Sequence, residues 1–458
     1  MFALPGILLL LTFVYVRPQE FLPALQAVPM IDLSIALALL GMMFDIRQRR
    51  SRLDRTSLLT ISIVFLIWCV IGLAVRNSSA ISNCIVIVGV DLALYVCIAH
   101  GVQSFRALQI VAGWLLVLVL FVSAIGVHQG LAPLGCHQIQ EGRDELVLTY
   151  DGRPCDTVKD CRVGDPEPGA EYLCEHVGLF QTSSIGGRVR YRGRLNDPND
   201  LSLAIGIALP FAFALFERKR SAARLLLVVV ALGLIGACTV YTASRGGQLV
   251  FLTVIGAYCI RRFGWKGLLV GAVVALPILL LGGRSGEEAE SSSVERLECW
   301  YEGMSMVRSY PLFGVGQGQF VEHHILTAHN SYVLAAAELG LPGLGLFSTI
   351  LYVSVKGPVQ ALRRLATEHA PNAAAARTWA MALLSMSAGV LIGIFFLSYC
   401  YHPVLWIALG LSGAFSSAMR THDPEWKVRF GWRDLLVVMA IDVVLMVVLY
   451  GYTRIAVP

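Results

Sequence analysis

Apolar residues run along this chain in long blocks, broken by short polar connections and by two long polar stretches. The blocks fall at 3–16, 31–45, 57–75, 80–99, 107–127, 199–216, 225–242, 247–260, 267–282, 341–356, 378–398, 403–419 and 434–452. A helix needs about 20 residues to cross a bilayer and a strand only about 10, so blocks of this length predict helices. Helices also satisfy their own backbone polar groups in hydrocarbon. The expected fold class is therefore an all-α polytopic membrane protein with about 12–13 transmembrane helices. The Met1–Val16 run lacks a basic leader and a small-residue cleavage site, so it is expected to be the first span. The predicted organisation is 1–127 as N-terminal helices, 128–198 as a cysteine-containing loop and 199–282 as central helices. A loop at 283–340, with short helices, and C-terminal helices at 341–458 complete it.

Composition agrees: 56% of residues are hydrophobic and 15% charged, with mean hydropathy +0.67. Soluble domains carry about 25% charged residues. The position of charge matters more than the net +5. Basic clusters at Arg47–Arg55, Arg218–Arg224, Arg261–Lys266, Lys356–Arg377 and Arg420–Arg433 alternate with the blocks so that all fall on one side. That side is expected to be cytoplasmic. Both long polar stretches then face outward, and the basic loops meet membrane lipids, with no nucleic-acid partner.

The first outer stretch holds Cys136, Cys155, Cys161 and Cys174. An even number of cysteines in an exported loop predicts two disulfides, with three possible pairings. The first part of this stretch, mildly acidic and rich in Gly and Pro, predicts a small irregular lobe with no large core of its own. It ends in GGRVRYRGRLNDPNDLS, where Arg188, Arg190, Arg192 and Arg194 recur at every second residue. An extended backbone would present all four guanidiniums on one face, a geometry suited to phosphate oxygens. Contact with lipid head groups is the simpler reading for Arg188 and Arg190. Asp197 and Asn199 are turn and cap residues, expected to support structure.

Tyr241-Thr-Ala-Ser-Arg-Gly-Gly joins two apolar blocks with almost no loop, which holds Arg245 at the membrane boundary. A cation there is either functional or snorkels to head groups. In the second outer stretch, Ser292 and Glu295 form a capping-box pattern that predicts a helix start. Pro311, Gly314, Gly316 and Gly318 stop that helix. His329 then meets a new helix, with Asn330 or Ser331 as cap. A histidine of ordinary pKa near 6.5 beside a helix N-terminus and near Arg296 suits proton transfer next to an anion. His323 and His324 read as surface residues.

Other chemistries find little support. Metalloprotease, Walker and dinucleotide patterns are missing, and GVGQGQ lacks the Lys-Ser/Thr of a phosphate loop. Asp91 and Asp442 lie inside blocks and keep a transporter reading open. Against it, the polar residues gather in outer loops and not in broken repeated helices at mid-membrane.

At RGRLNDPNDLS, at TASRGG, and at ERLECWYEGMSMVRSYPLFGVGQGQF followed by TAHNSYVLAAAELGLPGLG, the sequence resembles the O-antigen ligase and polymerase superfamily of bacterial inner-membrane proteins. The resemblance runs from about Arg192 to Gly345; the four-cysteine loop departs from it. It implies a membrane glycosyltransferase (GT-C-like) architecture that needs no metal or other cofactor and works on the periplasmic face. Its donor would be a glycan on undecaprenyl diphosphate, and its acceptor lipid A core, another glycan or a protein. Carried over by position, Arg194 and Arg245, with Arg192, would meet the diphosphate. Arg296 would assist and His329 would activate the acceptor hydroxyl, with Asp197, Asn199, Trp300, Asn330 and Tyr332 in support. A ligase is the expected form, with a polymerase or a protein O-oligosaccharyltransferase as the alternatives.

Overall fold

The computed structural model describes residues 1–141, 146–163, 169–281, 283, 287–368 and 371–456. The apolar blocks become helix, except that the block at 378–398 is helical only as far as Gly393. In chain order these are α1 (Ala3–Tyr15), the single turn α2 (Pro23–Gln26), α3 (Met30–Arg47), α4 (Ser57–Arg76), α5 (Ile81–Gly101) and α6 (Phe105–Leu131). After the outer lobe come α7 (Pro198–Gly206), α8 (Leu209–Arg218), α9 (Ala222–Tyr241), α10 (Arg245–Phe263) and α11 (Lys266–Leu281). The last are α12 (Glu287–Ser309), α13 (Ser331–Arg364), α14 (Pro371–Gly393), α15 (Pro403–His422) and α16 (Trp432–Ala456). Among the described residues, eight helical segments are long and apolar enough to cross a membrane unaided, with α7 and α8 counted as one. The chain is a multi-pass membrane protein. The remaining blocks are shorter or dilute their apolar residues, α3 with Asp32, Asp45 and Arg47 and α15 with glycines and serines.

Two predicted blocks are not simple rods. Residues 199–216 split between α7 and α8, where Pro210 opens the second helix. The block at 341–356 is the second half of α13, which starts ten residues earlier and breaks at Gly340 (φ 71°, ψ −178°) ahead of Pro342. A break within an apolar helix frees carbonyls that need new partners. Here Val315 N–H donates to Ala337 O and Gly316 N–H to Glu338 O, both at 2.9 Å. The Trp68 indole N–H reaches Leu339 O at 2.9 Å. The Pro311–Gly318 turn thus seats itself in the notch. A Cβ on Gly340 would lie 2.3 Å from Leu312 O, so the close approach requires glycine there.

The outer lobe is more regular than expected. In place of an irregular lobe, an antiparallel sheet in the order β2-β1-β3 is built from β1 (Leu134–Glu141), β2 (Leu146–Pro154) and β3 (Tyr172–His176). Cys136 pairs with Cys161 and Cys155 with Cys174. Cys136, Cys155, Cys161 and Tyr172 are the buried centre of this lobe, so the disulfides replace the core that so short a sheet cannot build. Glu175 ties the lobe to the returning chain by accepting from Ser184 Oγ and from the Gly186 and Gly187 N–H groups.

The basic loops gather at one end of the bundle. Arg420 pairs with Asp54 at 2.6 Å and Arg364 with Asp423 at 2.5 Å. At the other end, where α4 finishes, Arg76 donates to Gly314 O at 2.8 Å. The 283–340 stretch and His329 belong to that second end.

Candidate functional site

The site is built where α7, α10, α12 and α13 begin or pass one another. Asn330 caps α13, its Oδ1 accepting from Tyr332 N–H at 2.9 Å and Val333 N–H at 3.2 Å. Directly before this cap the backbone turns through the left-handed region at His329 (φ 46°). A non-glycine residue holds that conformation only where its surroundings over-determine it. Those surroundings are the chain after α14. Ser331 N–H donates to Ile394 O at 2.9 Å, Ser331 Oγ donates to Leu397 O at 2.6 Å and accepts from Tyr399 N–H at 2.8 Å. Thr327 Oγ1 donates to Ser398 Oγ at 3.0 Å. The imidazole is therefore carried by a clamped loop.

His329 is half-buried, and its pKa lies below the usual 6.5. Burial is the first cause and the Arg296 cation the second, with Asp197 and Glu295 pulling the other way. The neutral imidazole is the favoured form at pH 7. Arg296 is half-buried on α12. Ser293, three residues before it and so on the same helix face, accepts from the exposed Arg245 guanidinium at 2.9 Å. One turn of α12 thus links Arg245 to the surroundings of His329.

Arg245 is the first residue of α10. Ser244 caps this helix, accepting from Gly247 N–H at 3.0 Å and donating to Asn199 Oδ1 at 2.7 Å. Asp197 caps α7, accepting from Asn199 N–H at 2.6 Å. These two caps lock α7 to α10. Gly247 lets them touch, since a Cβ there would lie 2.1 Å from Ser202 Oγ. Trp300 is buried edge-on against Phe395, with ring centroids 5.5 Å apart, and Tyr332 packs on the same ring at 6.4 Å. Phe395 is thereby the wedge between α12 and α13.

The arginine tract does not form the single face that its spacing predicts. Gly193 (φ 56°) and the 3-10 turn Gly193–Leu195 break the extended backbone after Arg192. Arg188 donates to Thr242 O at 3.0 Å and to Asn199 Oδ1 at 3.2 Å. Arg190 donates to Ser183 O at 3.1 Å. Arg192 donates to Phe180 O and to Glu20 O, strapping the lobe to the chain after α1. Arg194 is exposed and lines a cleft of about 340 Å³ with Arg17, Asp32, Asp91 and Tyr401. The helix expected from the capping box at Ser292 starts earlier, at Glu287, so Ser292 and Glu295 lie inside α12.

Sequence reasoning missed the segment 394–402. Ser398 and Phe395 carry no motif. His402 does: followed by Pro403 it caps α15, and its Nε2 lies 3.0 Å from Arg194 O, so it fixes the Arg194 turn. A polar residue followed by proline at a helix start is a readable cap signal.

Residues 230–348, from within α9 to within α13, match the family model described as O-antigen ligase. This match supports membership of the O-antigen ligase and polymerase superfamily. The matched segment contains Arg245, Arg296 and His329, and Arg194 lies outside it. No curated protein matches the chain. The match supports glycan transfer of the O-antigen ligase type in general.

Proposed function

We propose that the chain transfers a glycan from an undecaprenyl-diphosphate-linked donor to an acceptor hydroxyl on the periplasmic face of the bacterial inner membrane. The observation that carries this reading is the gathering of His329, Arg296 and Arg245 around one turn of α12. The acceptor oxygen attacks the anomeric carbon of the donor. Its proton passes to a ring nitrogen of His329, neutral at working pH. The bond between the anomeric carbon and the phosphate oxygen breaks, and its electron pair leaves with the lipid diphosphate. Charge grows on that diphosphate in the transition state, and Arg245 and Arg296 stand ready to stabilise it without a metal. Arg194 is better suited to a lipid or head group in its own cleft, and Arg192 is committed to the loop after α1. Tyr332 also lines an apolar recess of about 240 Å³ with Leu351, Leu391 and Val438, which supports a donor with a lipid tail.

Purified chain supplied with a lipid-diphosphate glycan and a candidate acceptor tests the class. Release of lipid diphosphate supports transfer, and a transporter releases none. A ligase acting on lipid A core is the favoured form. In a deletion strain, uncapped core supports a ligase, and core capped by one repeat supports a polymerase. Loss of glycan from a protein alone supports protein glycosylation.

A further inference from the structure

A second polar hollow lies at the end of the bundle away from His329. It has a volume of about 600 Å³ and is built by two loops more than three hundred residues apart in sequence. Arg49, Arg50, Arg52 and Arg55 come from the loop between α3 and α4. Arg420, Lys427 and Arg429 come from the end of α15 and the loop after it. Among the described residues that line it, Asp54 is the one acid, and it is paired with Arg420 at 2.6 Å. The hollow therefore carries a large uncompensated positive charge.

Its walls are fixed in place. Arg52 N–H donates to Gln103 Oε1 at 2.9 Å, and the Gln103 amide donates back to Arg52 O. Thr421 Oγ1 donates to Gln103 O at 2.8 Å, so one glutamine residue ties both loops to the end of α5. Ser57 Oγ donates to Val428 O at 3.0 Å and joins the loops directly. Trp426, only 2% exposed, anchors the second loop. A positive-inside bias requires only that basic residues be on this side. It does not require them to converge on a concave, hydrogen-bonded frame. Convergent cations repel one another, and an anion with several oxygens relieves the repulsion while matching the guanidinium forks.

We propose that this hollow binds a phosphorylated anion, a phosphate ester presented either by an anionic lipid or by a soluble compound. Such a site is separate from the glycan-transfer site and independent of it. The test uses full-length chain purified in detergent, with equilibrium binding of short-chain phosphatidylglycerol, short-chain phosphatidylcholine and pyrophosphate. Binding of phosphatidylglycerol alone assigns a lipid head group, and binding of pyrophosphate as well assigns a soluble phosphate compound. Either result is the expected one. The double variant Arg55→Gln/Arg429→Gln should weaken the interaction about 30-fold, at the usual contribution of a basic residue near an anionic surface. Both side chains are exposed, and an unchanged melting temperature without ligand checks that the variant is folded. Arg218→Gln/Arg220→Gln removes two exposed cations outside the hollow and should leave binding unchanged. Failure of every phosphorylated probe to bind overturns the proposal. So does equal loss in both double variants, because diffuse attraction to the whole basic face would then account for binding.

Discussion

Two sets of arginines in this protein make opposite use of their sequence spacing. Arg188, Arg190, Arg192 and Arg194 sit at perfect alternation within seven residues, and folding sends them to different places. The first three donate to backbone carbonyls, and the fourth turns into a separate cleft. Arg245 and Arg296 are fifty-one residues apart with no shared pattern, yet Ser293 joins their neighbourhoods beside His329. Alternation specifies a face only while the backbone stays extended, and one glycine at positive φ ends it. Convergence depends on helix ends, and the ends here are fixed by the Asp197, Ser244 and Asn330 caps.

The comparison is most strongly tested by His329→Ala. Loss of a general base costs about 10²–10⁴-fold in rate. Donor affinity should persist, because the arginines stand on other elements. Arg245→Lys comes next. It keeps the charge and loses the fork, and removing a preorganised donor to a growing oxyanion costs about 10²–10³-fold, an upper bound for this milder change. Full activity in that variant, at normal expression, would reduce Arg245 to a head-group contact.

Arg296→Gln removes a cation that holds the His329 pKa down. The base must be neutral, so activity falls as pH drops through that pKa. Without Arg296 the pKa rises, and the acid limb of the rate profile moves to higher pH. A limb that stays put separates Arg296 from the imidazole. Asn330→Ala should lower stability by about 0.5–2 kcal/mol through loss of the α13 cap, read as a shift in thermal unfolding. Smallest of all, Arg192→Gln should leave the transfer rate within about twofold, since its guanidinium is committed to the Phe180 and Glu20 carbonyls. A large rate loss there would return the tract to the active site.

Much of the fold was legible because bilayer thickness dictates block length, and the two long polar stretches stood out against it. The cap before α13 was also legible, because Asn330 follows a glycine-rich turn and precedes an apolar helix. The sheet around the disulfides was hidden: its buried centre is the cysteines themselves, so no apolar alternation betrays it. The break at Gly340 was hidden too, since Leu-Gly-Leu-Pro-Gly reads as the start of a span and not as a notch that receives Pro311–Gly318. In the site, His329, Arg296 and Arg245 could be singled out by local context. The clamp of Ser331 and Thr327 on residues 394–402 could not, because it depends on hydrogen bonds between segments sixty-three to seventy-one residues apart.

The central claim is that His329 moves a proton and does more than position a substrate. Transfer rate and donor affinity should be measured for wild type, His329→Ala and His329→Gln at matched membrane levels. Glutamine keeps much of the size and hydrogen bonding of histidine but cannot accept the proton. The account predicts that both variants bind donor normally and that both lose transfer by at least about 10²-fold. A near-normal rate in His329→Gln would contradict it and turn attention to Glu295 and Glu298 on α12.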